Sequence, residues 1–184
     1  MPPESLCLQC GLCCDGTLFR DVELQPADDP VALTAAGIPL ERFRRQDHGQ
    51  TIAGRRFRQP CTALGSDCHC QVYAGRPQHC RGFDCALLQS FKAGSLEPKM
   101  ALKTIRQTRQ RADQVRRLLT ELGDTHHELS LTKRFQRMQR EVFKDGLPTH
   151  QDPELAAERF GELVAAVGEL QLALRLAFYP DAAD

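Results

Sequence analysis

Nine cysteines in a chain of 184 residues all fall between positions 7 and 85, and four of them crowd into CLQCGLCC at Cys7–Cys14. Residues 86–184 contain none. Thiols packed this densely leave few fates: a disulfide knot, a redox pair or a nest for metal. An odd number does not suit a disulfide framework. The opening MPPESLCLQC has no basic stretch leading into an apolar core, so it does not read as a secretory signal. No apolar run approaches the length of a membrane span. The expected compartment is therefore the cytoplasm, where thiols stay reduced and clustered cysteines serve metal or redox chemistry. Lys+Arg and Asp+Glu both number 24, so overall charge speaks neither for nor against nucleic acid.

The spacing of Cys7, Cys10 and Cys13 is C-x2-C-x2-C, which brings three thiols to one side of a turn or helix-like segment. It contains the C-x2-C knuckle of zinc sites. It also opens like an iron–sulfur run, except that the next thiol is adjacent instead of four residues on. Gly11 suits a backbone that bends tightly around an ion. Side chains on neighbouring residues diverge, so Cys13 and Cys14 are expected either to face two metals or to divide into one ligand and one packed thiol. A second group, PCTALGSDCHCQVYAGRPQHCRGFDC, offers Cys61, Cys68, Cys70, Cys80 and Cys85.

Around these thiols the first half reads as short pieces. Residues 17–24 form a candidate strand, and 29–37 a short helix with Asp28 or Asp29 at its N-cap and Gly37 just past its end. Residues 39–45 are expected to add a further turn or two, and 50–59 to make a hairpin about Gly54. None of these could build a large core alone, and a bound metal would supply the missing constraint. The second half is helical. Ala101, Ile105, Thr108, Ala112, Val115, Leu119 and Leu122 make one stripe, stopped by Gly123. Leu131, Phe135, Met138 and Val142 make the next, ended by Gly146-Leu147-Pro148. A third helix starts at Asp152-Pro153-Glu154 and carries Ala156, Phe160, Leu163, Val167, Leu170, Leu174 and Ala177, with Pro180 after its stop. The expected fold is mainly α. An irregular cysteine-rich metal-binding module at residues 1–95 precedes a helical segment, 96–184, of three amphipathic antiparallel helices packed on it. With no Trp and 6% aromatics, the core must be mostly aliphatic.

CLQCGLCC followed by PCTAL and CQVYAGRPQHCRGFDC resembles the CxxCxxCC, or YkgJ-type, cysteine-cluster family, over roughly residues 7–88. That resemblance implies zinc or iron chelation through eight motif cysteines, here Cys7, Cys10, Cys13, Cys14, Cys61, Cys70, Cys80 and Cys85. Cys68 is a ninth thiol outside the pattern. Eight thiolates would form one binuclear site or two close centres, holding Zn2+, iron or an iron–sulfur cluster. A four-thiolate divalent site carries excess negative charge, which Arg76 and Arg81 are placed to offset, with Arg55, Arg56 and Arg58 as further candidates. The family's relatives include a flagellin lysine N-methylase. This implies a distant link to protein modification, but the sequence has no glycine-rich cofactor loop and no identifiable catalytic constellation.

His69 and His79 each adjoin a motif cysteine and could replace a thiolate; solvated loop histidines are the plainer reading. His126-His127 do not match a zinc-protease motif. Asp15, Asp67 and Asp84 flank thiols, and Tyr73 reads as a packed side chain. Basic residues crowd two helices: Lys103, Arg106, Arg109, Arg111, Arg116 and Arg117, then Lys133, Arg134, Arg137, Arg140 and Lys144. They could offer a face to nucleic-acid phosphates, against a solvated face as the plainer reading. The alternatives to metal binding alone are thus a metal- or iron–sulfur-dependent protein-modifying enzyme and a nucleic-acid-binding module.

Overall fold

The computed structural model describes residues 2–146 and 152–179. The chain is mainly helical, with seven α-helices and one three-stranded sheet among the described residues. Helix α1 (Pro3–Cys10) is followed by strand β1 (Asp21–Glu23), α2 (Pro30–Ala35), β2 (Glu41–Asp47) and β3 (Gln50–Arg58). Then come α3 (Gln78–Gly82), α4 (Ala86–Lys92), α5 (Pro98–Glu121), α6 (Leu131–Asp145) and α7 (Pro153–Ala177). No helix among the described residues is long and apolar enough to cross a membrane.

The long helices form where the apolar spacing predicts them. All seven stripe residues of α5 are buried. In α7 Ala156, Leu163, Val167, Leu170 and Leu174 are buried, while Phe160 and Ala177 are partly so. Asp152 caps α7 by accepting a hydrogen bond from the Glu154 amide at 2.9 Å. Leu147-Pro148 and Pro180 lie outside the described residues. Helices α5 and α7 run antiparallel. Glu121 at the end of α5 meets Arg159 near the start of α7 at 3.7 Å, and Thr104 and Thr108 share a groove with Ala173 and Ala177. Between α5 and α6, Arg134 and Asp124 form a buried ion pair of 2.6 Å.

The short elements depart from expectation in two places. Residues 39–45 do not make a helical turn: 41–47 are strand β2, paired antiparallel with β3. The alternating, arginine-rich ERFRRQD suits a half-exposed strand, and cross-strand partners override its weak helical character. Gly54 does not turn a hairpin either. The turn sits at His48-Gly49, and β3 runs straight through Gly54, which pairs with Phe43. A Cβ at Gly54 would lie 3.0 Å from the Phe43 ring, so this glycine is the platform on which that ring lies. The sheet order is β1-β3-β2, with β1 shorter than the predicted 17–24. Helix α2 is capped as expected, Asp29 accepting from the amides of Val31 and Ala32.

Two hydrophobic clusters result. The larger joins Leu6, Leu12 and Leu18 from the N-terminal region to α4, α5, α6 and α7. The smaller gathers Val22, Leu33, Ile38, Phe57 and Ala63 around the sheet. Phe19 packs against both.

Candidate metal centre

Helix α1 places Cys7 and Cys10 one turn apart. Gly11 then ends it in the left-handed conformation, φ 70°, and the chain folds back so that the Cys14 and Asp15 amides donate to the Gly11 carbonyl at 2.8 and 3.0 Å. Leu12, fully buried, anchors this loop in the larger cluster. Arg116 of α5 clamps it from below, with a salt bridge of 2.8 Å to Asp15 and a hydrogen bond of 3.0 Å to the Thr17 hydroxyl. The second cysteine group is stitched directly to the first, because the Cys61 amide donates to the Cys14 carbonyl at 2.7 Å. A narrow loop then returns Cys70 opposite Leu64. Cys80 lies on α3, whose first amide, from Gln78, donates to Asp28 at 2.7 Å. Cys85 immediately precedes α4, and the Ala86 amide donates to the Phe178 carbonyl at the end of α7.

The thiols sort into two sets. Cys7, Cys10, Cys13 and Cys85 are all within electrostatic reach of one another. So are Cys14, Cys61, Cys70 and Cys80. The sets adjoin at Cys13 and Cys14, which also act on one another while their other sulfur neighbours differ. Each set rests on its own hydrophobic cluster: Cys7, Cys10, Cys13 and Cys85 pack on the larger, Cys61 and Cys80 on the smaller. Eight of the nine thiols, Cys68 among them and Cys61 not, line a single cavity of about 80 Å³, walled otherwise by mostly aliphatic and aromatic side chains together with Gln59 and Arg76. The sets are neighbourhoods, not finished cages. Among the described residues no three His, Cys, Asp or Glu side chains converge closely enough to hold an ion as they stand. All nine thiols are free of disulfides.

Electrostatics explains why such a nest wants cations. Burial, more than any other cause, pushes Cys10 up to about 12 and Cys13 well above the ordinary thiol range, with neighbouring thiols adding to the rise. Cys14 is likewise raised, and Cys80 is pushed up to about 12, by burial and then by the other sulfurs of its set. Cys7, Cys61 and Cys85 rise for the same first reason. Thiolates gathered here repel one another in a medium poor in water, and a bound cation reverses that balance. Arg76 does so in part. It lowers both Cys7 and Cys80, one from each set. Its guanidinium stacks 3.6 Å from the Tyr73 ring centre and donates to the Tyr73 carbonyl. The donor set therefore fits a thiophilic metal such as zinc or iron.

The other sequence candidates take other places. Arg81 is exposed. Arg56 and Arg58 pair with Glu41, and Arg56 also with Asp21, on the sheet. Cys68 adopts a left-handed backbone, φ 66°, and packs its sulfur against Gly11. His69 is exposed and held by Asp67, and the exposed His79 ring stacks edge-on to Phe19. Asp84 pairs with Lys92, and His126 with Glu128. On the basic helices Arg134 is buried, and Arg116 serves the cysteine loop, so neither belongs to an open cationic face. Arg117 and Arg137 pair along their own helices with Glu121 and Glu141. Arg116 and Asp28 are positioning residues that sequence reasoning missed in that role. Nothing local marks them, because their partners lie about 100 and 50 residues away.

A family model described as "CxxCxxCC: putative zinc- or iron-chelating domain" matches residues 6–113. The chain belongs to this family. The match runs past the cysteines into α5, further than the 7–88 stretch that carries the motifs, and so includes the first part of the helix that packs against α1. Neither a curated relative nor a solved structure matches the chain.

Proposed function

We propose that this protein chelates zinc or iron at two neighbouring centres, one on Cys7, Cys10, Cys13 and Cys85, the other on Cys14, Cys61, Cys70 and Cys80. The observation that carries this reading is that the sulfurs within each set of four all act electrostatically on one another, while Cys13 and Cys14, which also act on each other, otherwise have different sulfur neighbours. Each set has the number and type of donors that a closed tetrahedral site needs. Arg76, between the sets, would offset the excess charge of both. Bare zinc ions satisfy this donor set. Iron–sulfur clusters do as well, and the apolar, sulfur-lined cavity gives such a group the dry surroundings that tune it. Residues 1–95 act as the metal-binding module and 96–184 as its helical support. A reducing compartment such as the cytoplasm suits nine free thiols.

Elemental analysis and visible absorption of protein purified without oxygen test this. Zinc in stoichiometric amount with a colourless solution, or iron with broad visible absorption, is the expected result. Protein that folds with no bound metal and with all nine thiols open to alkylation would overturn the proposal.

A further inference from the structure

Strand alternation puts Gln59 where an apolar side chain is expected. This residue follows β3 and extends its pairing by one step, its backbone amide donating to the Arg20 carbonyl at 3.2 Å. Arg58 before it turns outward to Glu41, and Phe57 before that is buried in the smaller cluster. A period of two therefore sends Gln59 inward. It is 1% exposed, and its carboxamide oxygen has no hydrogen-bond partner. Two other buried side-chain atoms share that condition among the described residues, Ser130 Oγ and Arg134 Nη2. Both belong to the start of α6, and neither residue lines the cavity of sulfurs. Gln59 does. A buried polar atom without a partner disfavours the fold, and an apolar side chain of the same length would carry no such penalty.

We propose that Gln59 is a positioning residue of the metal centres, its side-chain NH2 donating a hydrogen bond to a metal-bound cysteine sulfur. This inference rests on the metal reading above. Metal binding converts thiols into thiolates, which accept hydrogen bonds but cannot donate them. A carboxamide has one end of each kind, and half a turn about its last bond exchanges the two without changing its shape. The oxygen finds no donor where it stands. Exchange puts the NH2 in its place, beside a wall of sulfurs that accept. The bond would draw negative charge off thiolates that carry an excess of it. It would do so without a second cation next to Arg76, whose guanidinium is already engaged by Tyr73. Donors of this kind, one step outside the ligands, fix the ligand's orientation and set the metal's affinity. For iron they also set the reduction potential.

The test uses the full chain, reduced and metal-free, reloaded without oxygen with Zn2+ or Co2+. Gln59→Met keeps the length of the side chain and removes the N–H. It is expected to weaken Zn2+ binding about 10-fold or more in chelator competition. It should also shift the sulfur-to-cobalt charge-transfer bands of the Co2+ form. The metal-free variant should unfold at the same urea concentration as wild type or a higher one, because an unpaired polar atom has gone. If Gln59→Met does not fold, the wild type decides. On Zn2+ loading its Gln59 side-chain NH2 resonances should move downfield and exchange slowly with solvent; resonances that stay put and exchange fast overturn the inference. A purely structural role, such as a bridge to Ser130, which like Pro60 lies against Gly16, predicts the reverse pattern. The metal-free variant would then be less stable and the cobalt bands unmoved, and that result also overturns the inference. Wild type that binds neither ion overturns the metal reading and this inference with it. Wild type with sulfur-to-cobalt bands, beside a Gln59→Met variant with the same bands and the same Zn2+ affinity, overturns this inference alone.

Discussion

Cys13 and Cys14 are adjacent in the chain and act on each other, but their remaining sulfur neighbours differ: Cys7, Cys10 and Cys85 for Cys13, Cys61, Cys70 and Cys80 for Cys14, which we read as two centres. Cys13→Ser should therefore remove metal from one centre and Cys14→Ser from the other, each variant retaining about half the metal by elemental analysis. Cys68→Ser should leave the content unchanged. Arg76→Gln should weaken both centres by about 10-fold in chelator competition, since one cation favours the charged form of a thiol in each set. Protons give a third check. Thiols raised by burial hold their protons at neutral pH, so each metal must displace up to about four of them, and apparent affinity should fall steeply as pH drops from 8 to 6. The metal-free chain has the opposite sensitivity. Cys7, Cys10, Cys13, Cys14, Cys61, Cys80 and Cys85 titrate higher when folded than when unfolded. The stability they add is complete below the ordinary thiol range of about 8.5 and is lost as pH rises through it toward the folded values, about 12 for Cys10 and Cys80. Urea melts of apo-protein at pH 7 and pH 10 read that loss.

At the scale of elements, the junction of α5 with α6 depends on Asp124 and Arg134, buried together at 2.6 Å. Asp124→Ala strands a guanidinium in the core and should cost about 3–5 kcal/mol in urea unfolding. The sheet depends on shape instead. Gly54→Val pushes a side chain into the Phe43 ring and should destabilise the fold by about 1–3 kcal/mol. These two sites also show how unevenly elements can be read from sequence. The stripe of α5 was legible because seven apolar or small residues repeat at one period over six turns. Gly54 was misread because a glycine between two β-like runs looks the same whether it turns the chain or lies under an aromatic ring across the strand. Residues 39–45 were misread because seven residues carry too little periodicity to distinguish a strand from a helical turn.

For the whole molecule, the two thiol sets lie on two different hydrophobic clusters that share Phe19, and only the larger includes the long helices. The clusters therefore depend unequally on metal. Removing metal with a chelator under reducing conditions should lower the melting temperature by about 10 °C or more. Most helical signal should survive, carried by α5 and α7, while near-ultraviolet bands from the aromatic side chains around the cavity collapse.

Sequence alone determined the family, the mainly helical character, the three long helices and the sulfur-rich chemistry. Each is written in local spacing: cysteines two residues apart, apolar residues three and four apart. It also determined that Cys13 and Cys14 must diverge, since neighbouring side chains do. Only the tertiary structure decided which distant sulfurs each of them meets. That choice rests on contacts between residues far apart in the chain: the Cys61 amide on the Cys14 carbonyl, Asp28 on the start of α3, Arg116 on Asp15. Partners of this kind leave no period in the sequence. They exist once two hydrophobic clusters have formed and brought their cysteines along.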